Sequence, residues 1–357
     1  MTSPVETILF VGSYALADEP GIFAFTLDEW NAELRAEGGV AGIRNPSFLG
    51  LRPGGNHLFA VSETGLTVDG VHGAVHGFRI DRRPGSCELV ALNHRSTAGD
   101  HPCHLGFDAS GRWMAASNYG SGSVVIFPIA PDGVLGPMTS LVEHSGTGPN
   151  TDRQEGPHAH STIFTPNNRF LVVADLGIDR LVIYNFDDEA GSLDPHSEVK
   201  TSPGAGPRHM AFHPDGSHLL VVNELANSIT LYRHNATTGG LRHVRTLSTV
   251  PPGAPQTTAA DVRISETGGH VYVSNRGDNS IAVFTFDTPA GLTRSEVRPS
   301  GGEWPRNFGL TPGGRHLIVA NRYSNEIVLL PLLDHGADIG EPVVRAEVSQ
   351  PSCVTFV

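Results

Sequence analysis

The sequence predicts an all-β protein folded as a seven-bladed β-propeller, with four antiparallel strands to a blade and one domain spanning residues 1–357. Three observations lead there. A unit of about fifty residues recurs six times, and period-based repeats of that size mark propellers and solenoids. The composition, with 42 glycines, 26 prolines and only 17% charged residues, suits many short strands joined by tight turns. The two ends of the chain carry complementary parts of one further unit, so that joining them closes a ring.

The clearest copies are HPCHLGFDASGRWMAASNYGSGSVVIF (101–127), GPRHMAFHPDGSHLLVVNELANSITLY (206–232) and WPRNFGLTPGGRHLIVANRYSNEIVLL (304–330). Looser ones begin at NPSFLGL (45–51), HSTIF (160–164) and AADVRI (259–264). Each reads as a strand, a PDG, SGR or PGG turn, an apolar strand ending in Asn, Asp, Ser or Glu, a second turn, and a third strand. A more polar fourth strand follows, for example LGPMTSLVEH (135–144) or LRHVRTLSTV (241–250). At the N-terminus TILFVGSY (7–14) and GIFAFTL (21–27) match a second and third strand, while QPSCVTFV (350–357) supplies the missing first strand.

A common register follows from the apolar residue before each first turn: Leu51, Phe107, Phe164, Phe212, Ile264, Leu310 and Phe356. Four residues earlier stand Ser47, Cys103, His160, Arg208, Ala260, Arg306 and Ser352; twelve residues later stand Glu63, Tyr119, Leu176, Glu224, Arg276 and Arg322. In a propeller these positions gather round the mouth of the axial channel. The charged members are concentrated in blades four to seven, counting from the N-terminal blade, which predicts a one-sided anion pocket.

The net charge of −13 argues against nucleic acid or an anionic membrane as the main partner. Three widely spaced cysteines with no CxxC pair argue against a disulfide framework or a thiolate zinc site. MTSPVETILFVGSY does not read as an export signal, and no apolar run approaches the roughly 18 residues of a membrane span, so a cytoplasmic protein is expected, as monomer or homodimer. His158 and His160 share a strand face at i and i+2, yet no carboxylate or cysteine set accompanies them, so neither a metal nor a cofactor is expected.

Several stretches, DRQEGPHAHS, GPRHMAFHPDG, VNELANS, VSNRGDNS and WPRNFG among them, resemble the lactonase family of seven-bladed β-propellers over nearly the whole chain. That family includes bacterial 6-phosphogluconolactonases and fungal carboxymuconate-lactonizing enzymes. The resemblance implies His160, Arg208 and Glu224 as catalytic residues. Around the substrate it and the register place Arg153, His158, Arg276, Arg306, Arg322 and Glu63, with His158 expected to bond a loop carbonyl. The expected reaction is hydrolysis of an anionic sugar lactone, 6-phosphogluconolactone to 6-phosphogluconate. His160 or Glu224 would serve as base, and Arg208 would hold the oxyanion or a substrate carboxylate. The other arginines would hold a phosphate or carboxylate. A lactonizing cycloisomerase and a non-catalytic propeller are the alternatives. A Cys103 nucleophile has no evident partner, and His72 and His76 are given no role.

Overall fold

The structure is a computed structural model and describes residues 6–83, 86–287 and 291–357. Seven antiparallel sheets stand round an axis, as the repeat predicts. Blade 1 is the one shared by the two ends: Pro351–Phe356 pairs with Thr7–Ser13, followed by Ile22–Asp28 and Glu33–Val40. Blades 2 to 6 each run in order through four strands, and blade 7 differs only at its outer edge. There the fourth strand is divided between Asp338–Ile339 and Val344–Glu347, both on Glu326–Leu333. The predicted fourth strand of blade 3 shortens to Ser140–Glu143, because Gly136 and Pro137 interrupt its start and proline has no N–H for a ladder. Among the described residues no helix is long and apolar enough to cross a membrane.

The core consists of seven clusters, each lying between two neighbouring blades. Alternation along the second strands produces this. In blade 5, Leu219 and Val221 pack against blade 4, whereas Leu220 and Val222 pack against blade 6. A strand buried on both faces reads as a continuous apolar run, and HLLVV, HLIVA and FLVVA are such runs. The Asn that closes four second strands caps the turn: Asn118, Asn223 and Asn275 each donate from Nδ2 to a serine five residues on, at 3.0, 3.0 and 3.1 Å, and Asn321 Nδ2 donates to Ser300 O at 3.2 Å.

The feature that builds the site is a β-bulge at the start of the first strands. The ladder skips between Pro102 and His104, Ala159 and Ser161, Pro207 and Met210, Ala259 and Val262, Pro305 and Asn307, and between Pro351 and Cys353 in the closing strand. A bulge sets two residues of one strand against one of its partner and turns a side chain out of its normal alternation. The skipped residues include Cys103, His160, Arg208, Ala260, Arg306 and Ser352, which are the channel-mouth positions of the register.

Candidate active site

Glu224, at the end of the second strand of blade 5, is the hub of one half of the mouth. Its Oε1 accepts from Arg153 at 2.7 Å; its Oε2 lies 2.8 Å from Arg276 and 3.0 Å from Arg208 Nε, the last without hydrogen-bond alignment. Glu224, Arg208 and Arg276 are almost wholly buried, while Arg153 is partly exposed. Backbone carbonyls complete the guanidiniums: Arg208 donates to Ala260 O at 2.7 Å and Arg276 to Ala259 O at 3.1 Å. Burial alone would raise the Glu224 carboxyl, but Arg276, Arg208, His160 and Arg153 hold it well below the usual carboxylate range. Burial, with Arg276 and Arg306 alongside, pulls Arg208 down to about 9, which leaves it charged at neutral pH.

The entry loop of blade 4 delivers two of these groups. Gln154 is fully buried and donates to Leu176 O at 2.8 Å, so the preceding Arg153 is carried to Glu224. His158 is fixed by Asp175, which accepts its backbone N–H at 2.8 Å, and its Nδ1 meets Tyr119 O at 2.9 Å. Its ring stacks on Tyr119 at 4.3 Å. The expected bond to a loop carbonyl is therefore present, and His158 supports Tyr119, whose hydroxyl takes an N–H from Arg153 at 3.4 Å.

His160 stands edge-on to Tyr119 at 5.5 Å, with Nδ1 3.7 Å from the Cys103 sulfur. Burial first, then Arg208 and His209, push its pKa well below that of a free histidine, so the ring is neutral at pH 7. Cys103 is no rival nucleophile: burial raises its thiol far above neutrality.

The other half of the mouth centres on Tyr14. Its hydroxyl donates to Glu63 at 2.9 Å, Ser47 donates to the same carboxylate, and the guanidiniums of Arg322 and Arg306 lie 4.0 and 5.4 Å from the Tyr14 ring. Arg322 also reaches Gln350 at 3.1 Å. Arg306 makes no hydrogen bond or ion pair among the described residues. Burial opposes its charge, but Tyr14, Glu63 and Glu224 raise its pKa, so it stands between the two halves as a charged donor facing no protein acceptor.

Beneath the mouth, side chains from several blades meet across the channel. One residue beyond each of the seven register positions at the mouth come Phe48, His104, Ser161, His209, Asp261, Asn307 and Cys353. His209 Nδ1 meets Asp261 at 2.7 Å, Asn307 donates to the other Asp261 oxygen at 2.6 Å, and the rings of His104 and His160 both lie 5.3 Å from His209. His209 Nε2 is buried with no hydrogen-bond partner among the described residues.

Of the residues expected around the substrate, Arg153 and Arg276 are engaged by Glu224, and His158 by loop atoms; Arg306 and Arg322 lie beside the Tyr14 ring, with Glu63 turned to Tyr14. Tyr14 escaped the sequence reading because its place, equivalent to Glu224 and Arg322, is counted across the two chain ends, where Leu9 pairs with Phe356; the His209–Asp261 pair escaped because it lies one residue past the first register position. The HM that follows GPR is the trace His209 leaves in the sequence. His72 lies away from this set, 2.8 Å from Asp100, and His76 stacks on His94.

A family model, lactonase, 7-bladed beta-propeller, matches residues 8–356. The chain belongs to the lactonase family of seven-bladed β-propellers. Within it, the chain is 33% identical to a 6-phosphogluconolactonase of Bacillus subtilis strain 168, over 98% of this chain and 97% of that protein. It is also 33% identical to a 6-phosphogluconolactonase of Formosa agariphila, covering 90% and 91% of the two chains. The solved structure of a periplasmic gluconolactonase from Pseudomonas aeruginosa superposes with a TM-score of 0.91 at 30% identity, covering 99% of each chain.

Proposed function

We propose that this lactonase hydrolyses 6-phosphogluconolactone to 6-phosphogluconate, with the phosphate held by Arg306 and Arg322. The observation that carries the proposal is Arg306, a charged guanidinium at the mouth beside a neutral His160 and with no protein acceptor of its own among the described residues. A half-buried arginine with no protein acceptor among the described residues is a ready partner for a substrate anion. Three arginines against one carboxylate leave the Glu224 half at a local charge of +2 (3 − 1), which suits a carbonyl oxygen becoming an oxyanion.

In the proposed reaction His160 takes a proton from water as the water oxygen bonds to the lactone carbonyl carbon. Arg208, held by its bond to Ala260 O and its ion pair with Glu224, faces the negative oxygen with Arg153. The tetrahedral intermediate collapses, the bond to the ring oxygen breaks, and His160 returns the proton to that oxygen. The new carboxylic acid gives its proton to solvent. Glu224 is the weaker candidate for base, since three guanidiniums already occupy its two oxygens. We place the enzyme in the cytoplasm, a reading supported by the unpaired cysteines Cys87, Cys103 and Cys353.

The test is proton release followed with freshly generated 6-phosphogluconolactone, glucono-1,5-lactone and a carboxymuconate, for wild type, His160→Ala, Arg208→Ala and Glu224→Ala. Preference for the phosphorylated lactone, lost in the three variants, is expected. Turnover no faster than spontaneous hydrolysis would refute the enzyme; preference for the unphosphorylated lactone would refute the phosphate subsite.

A further inference from the structure

On the opposite face of blade 5, the turn His213-Pro214-Asp215-Gly216-Ser217-His218 brings two imidazoles and a carboxylate to one point. Asp215 Oδ2 lies 2.7 Å from His218 Nδ1 and 3.2 Å from His213 Nδ1. The other oxygen, Oδ1, is taken up by the backbone N–H groups of Ser217 at 2.8 Å and His218 at 3.2 Å, which aims Oδ2 at the two rings. Ser217 Oγ adds a contact to His218 Nδ1 at 3.1 Å.

The tautomer of His213 is fixed from both sides. The Asp215 N–H points at its Nδ1 from 3.2 Å, and its Nε2 lies 3.0 Å from Gly268 O in the neighbouring blade. The ring proton therefore sits on Nε2, and Nδ1 accepts the Asp215 N–H with Asp215 Oδ2 at the same 3.2 Å distance. A cation held between Nδ1 and Asp215 Oδ2 takes the place of the Asp215 N–H contact on Nδ1.

We propose that His213 Nδ1, Asp215 Oδ2 and His218 Nδ1 form a binding site for a divalent first-row transition metal, Zn²⁺ being the representative ion. Two imidazoles and one carboxylate are a borderline donor set that favours zinc, nickel or copper over calcium or magnesium. Ligand atoms round a tetrahedral zinc stand roughly 3.3 Å apart, as bond lengths of about 2 Å require; the 3.2 Å between Asp215 and His213 matches this, and His218 has to move away from Asp215 by roughly 0.6 Å. The Gly268 carbonyl on His213 Nε2 is the outer hydrogen bond that orients ligating histidines in metal sites. Phe286 backs both rings, its centroid 4.3 Å from His213 and 5.2 Å from His218, and shields the site from one side. Five residues of strand separate His213 from Arg208, roughly 17 Å at about 3.3 Å per residue, so the site is separate from the channel mouth.

The experiment is calorimetric titration of the full-length, chelator-stripped protein with Zn²⁺, beside Asp215→Asn and His218→Ala, with each variant's fold checked by thermal melting without metal. One Zn²⁺ per chain is expected for wild type, with affinity at least tenfold lower in both variants. Co²⁺ added to wild type alone should give visible d–d absorption of low-symmetry coordination. Lactone turnover should be the same in all three proteins, with or without chelator. No saturable Zn²⁺ binding by wild type, or the same affinity and stoichiometry in both variants, overturns the site. Because Asp215 is exposed, Asp215→Asn decides the matter should His218→Ala fail to fold.

Discussion

Phe48 of blade 2 and His209 of blade 5 meet edge to face across the ring axis, their ring centroids 6.1 Å apart. Blades three places apart touch only through the centre, so this pair forms part of the floor beneath the mouth. Phe48→Ala should open that floor. The expected cost is about 2–3 kcal/mol by chemical denaturation, at the low end for a phenylalanine because Phe48 is only half-buried. Lactone turnover should fall with it as water reaches the underside of His160.

Replacing Glu224 by Gln removes the counter-charge of three guanidiniums at once. Leaving buried charges uncompensated costs on the order of 3–5 kcal/mol, readable as a lower denaturation midpoint. The kcat should fall by about a hundredfold or more as Arg208 and Arg153 lose their alignment.

Arg306→Ala should separate the two lactones. A hydrogen bond to a charged group contributes about 1.5–3 kcal/mol, so KM for 6-phosphogluconolactone is expected to rise by roughly ten- to a hundredfold, with little change for glucono-1,5-lactone. Arg306→Lys should rescue only part, having lost the planar fork. Equal losses on both lactones would assign Arg306 to the reacting carbonyl instead.

The pH profile follows from two depressed pKa values. Burial keeps His160 and His209 neutral, so activity should hold flat through neutrality and fall only well below pH 6.5. For stability, a histidine that resists protonation when folded but accepts a proton when unfolded favours unfolding as pH drops below about 6.5. Glu224, with its folded pKa held down, adds a stabilisation that is present above about pH 4.5 and is lost below it. Melting temperature against pH should therefore decline in two stages, and His209→Gln should weaken the upper one.

Deleting residues 350–357 removes the strand that pairs with Thr7–Ser13 and uncovers the clusters holding Cys353 and Val354. Calorimetry should show the melting temperature of the whole ring lowered by more than about 10 °C, because several kcal/mol are lost and each kcal/mol shifts Tm by roughly 2–4 °C in a chain of this size. A truncated protein that melts where wild type does would mean the closing strand contributes little.

The fold was legible in the sequence because each blade repeats the same turn chemistry and the same doubly buried second strand, so six imperfect copies reinforce one another. Register alone brought His160, Arg208, Glu224 and Arg276 to one place. What it could not show is who pairs with whom: Arg153 and Arg276 look like free cations in a string of letters, yet Glu224 takes both. Tyr14 was hidden because it comes from the blade whose first strand lies at the far end of the chain. His209 and Asp261 were hidden by strict alternation, which assigns neighbours of Arg208 and Ala260 to opposite faces; the bulges let consecutive residues share the axis.

Those bulges also bear on how such a protein can change its chemistry. A residue skipped by the ladder contributes nothing to blade pairing in register, so its identity is free to differ while the sheet stays as it is. Cysteine, histidine, arginine, alanine, arginine and serine occupy the six bulged positions of one chain without altering the architecture around them. The ring therefore works as a set of exchangeable sockets round a shared cup. Ala260, whose side chain is small and whose carbonyl already steadies Arg208, is the socket where a new group alters substrate choice with least disturbance to the scaffold.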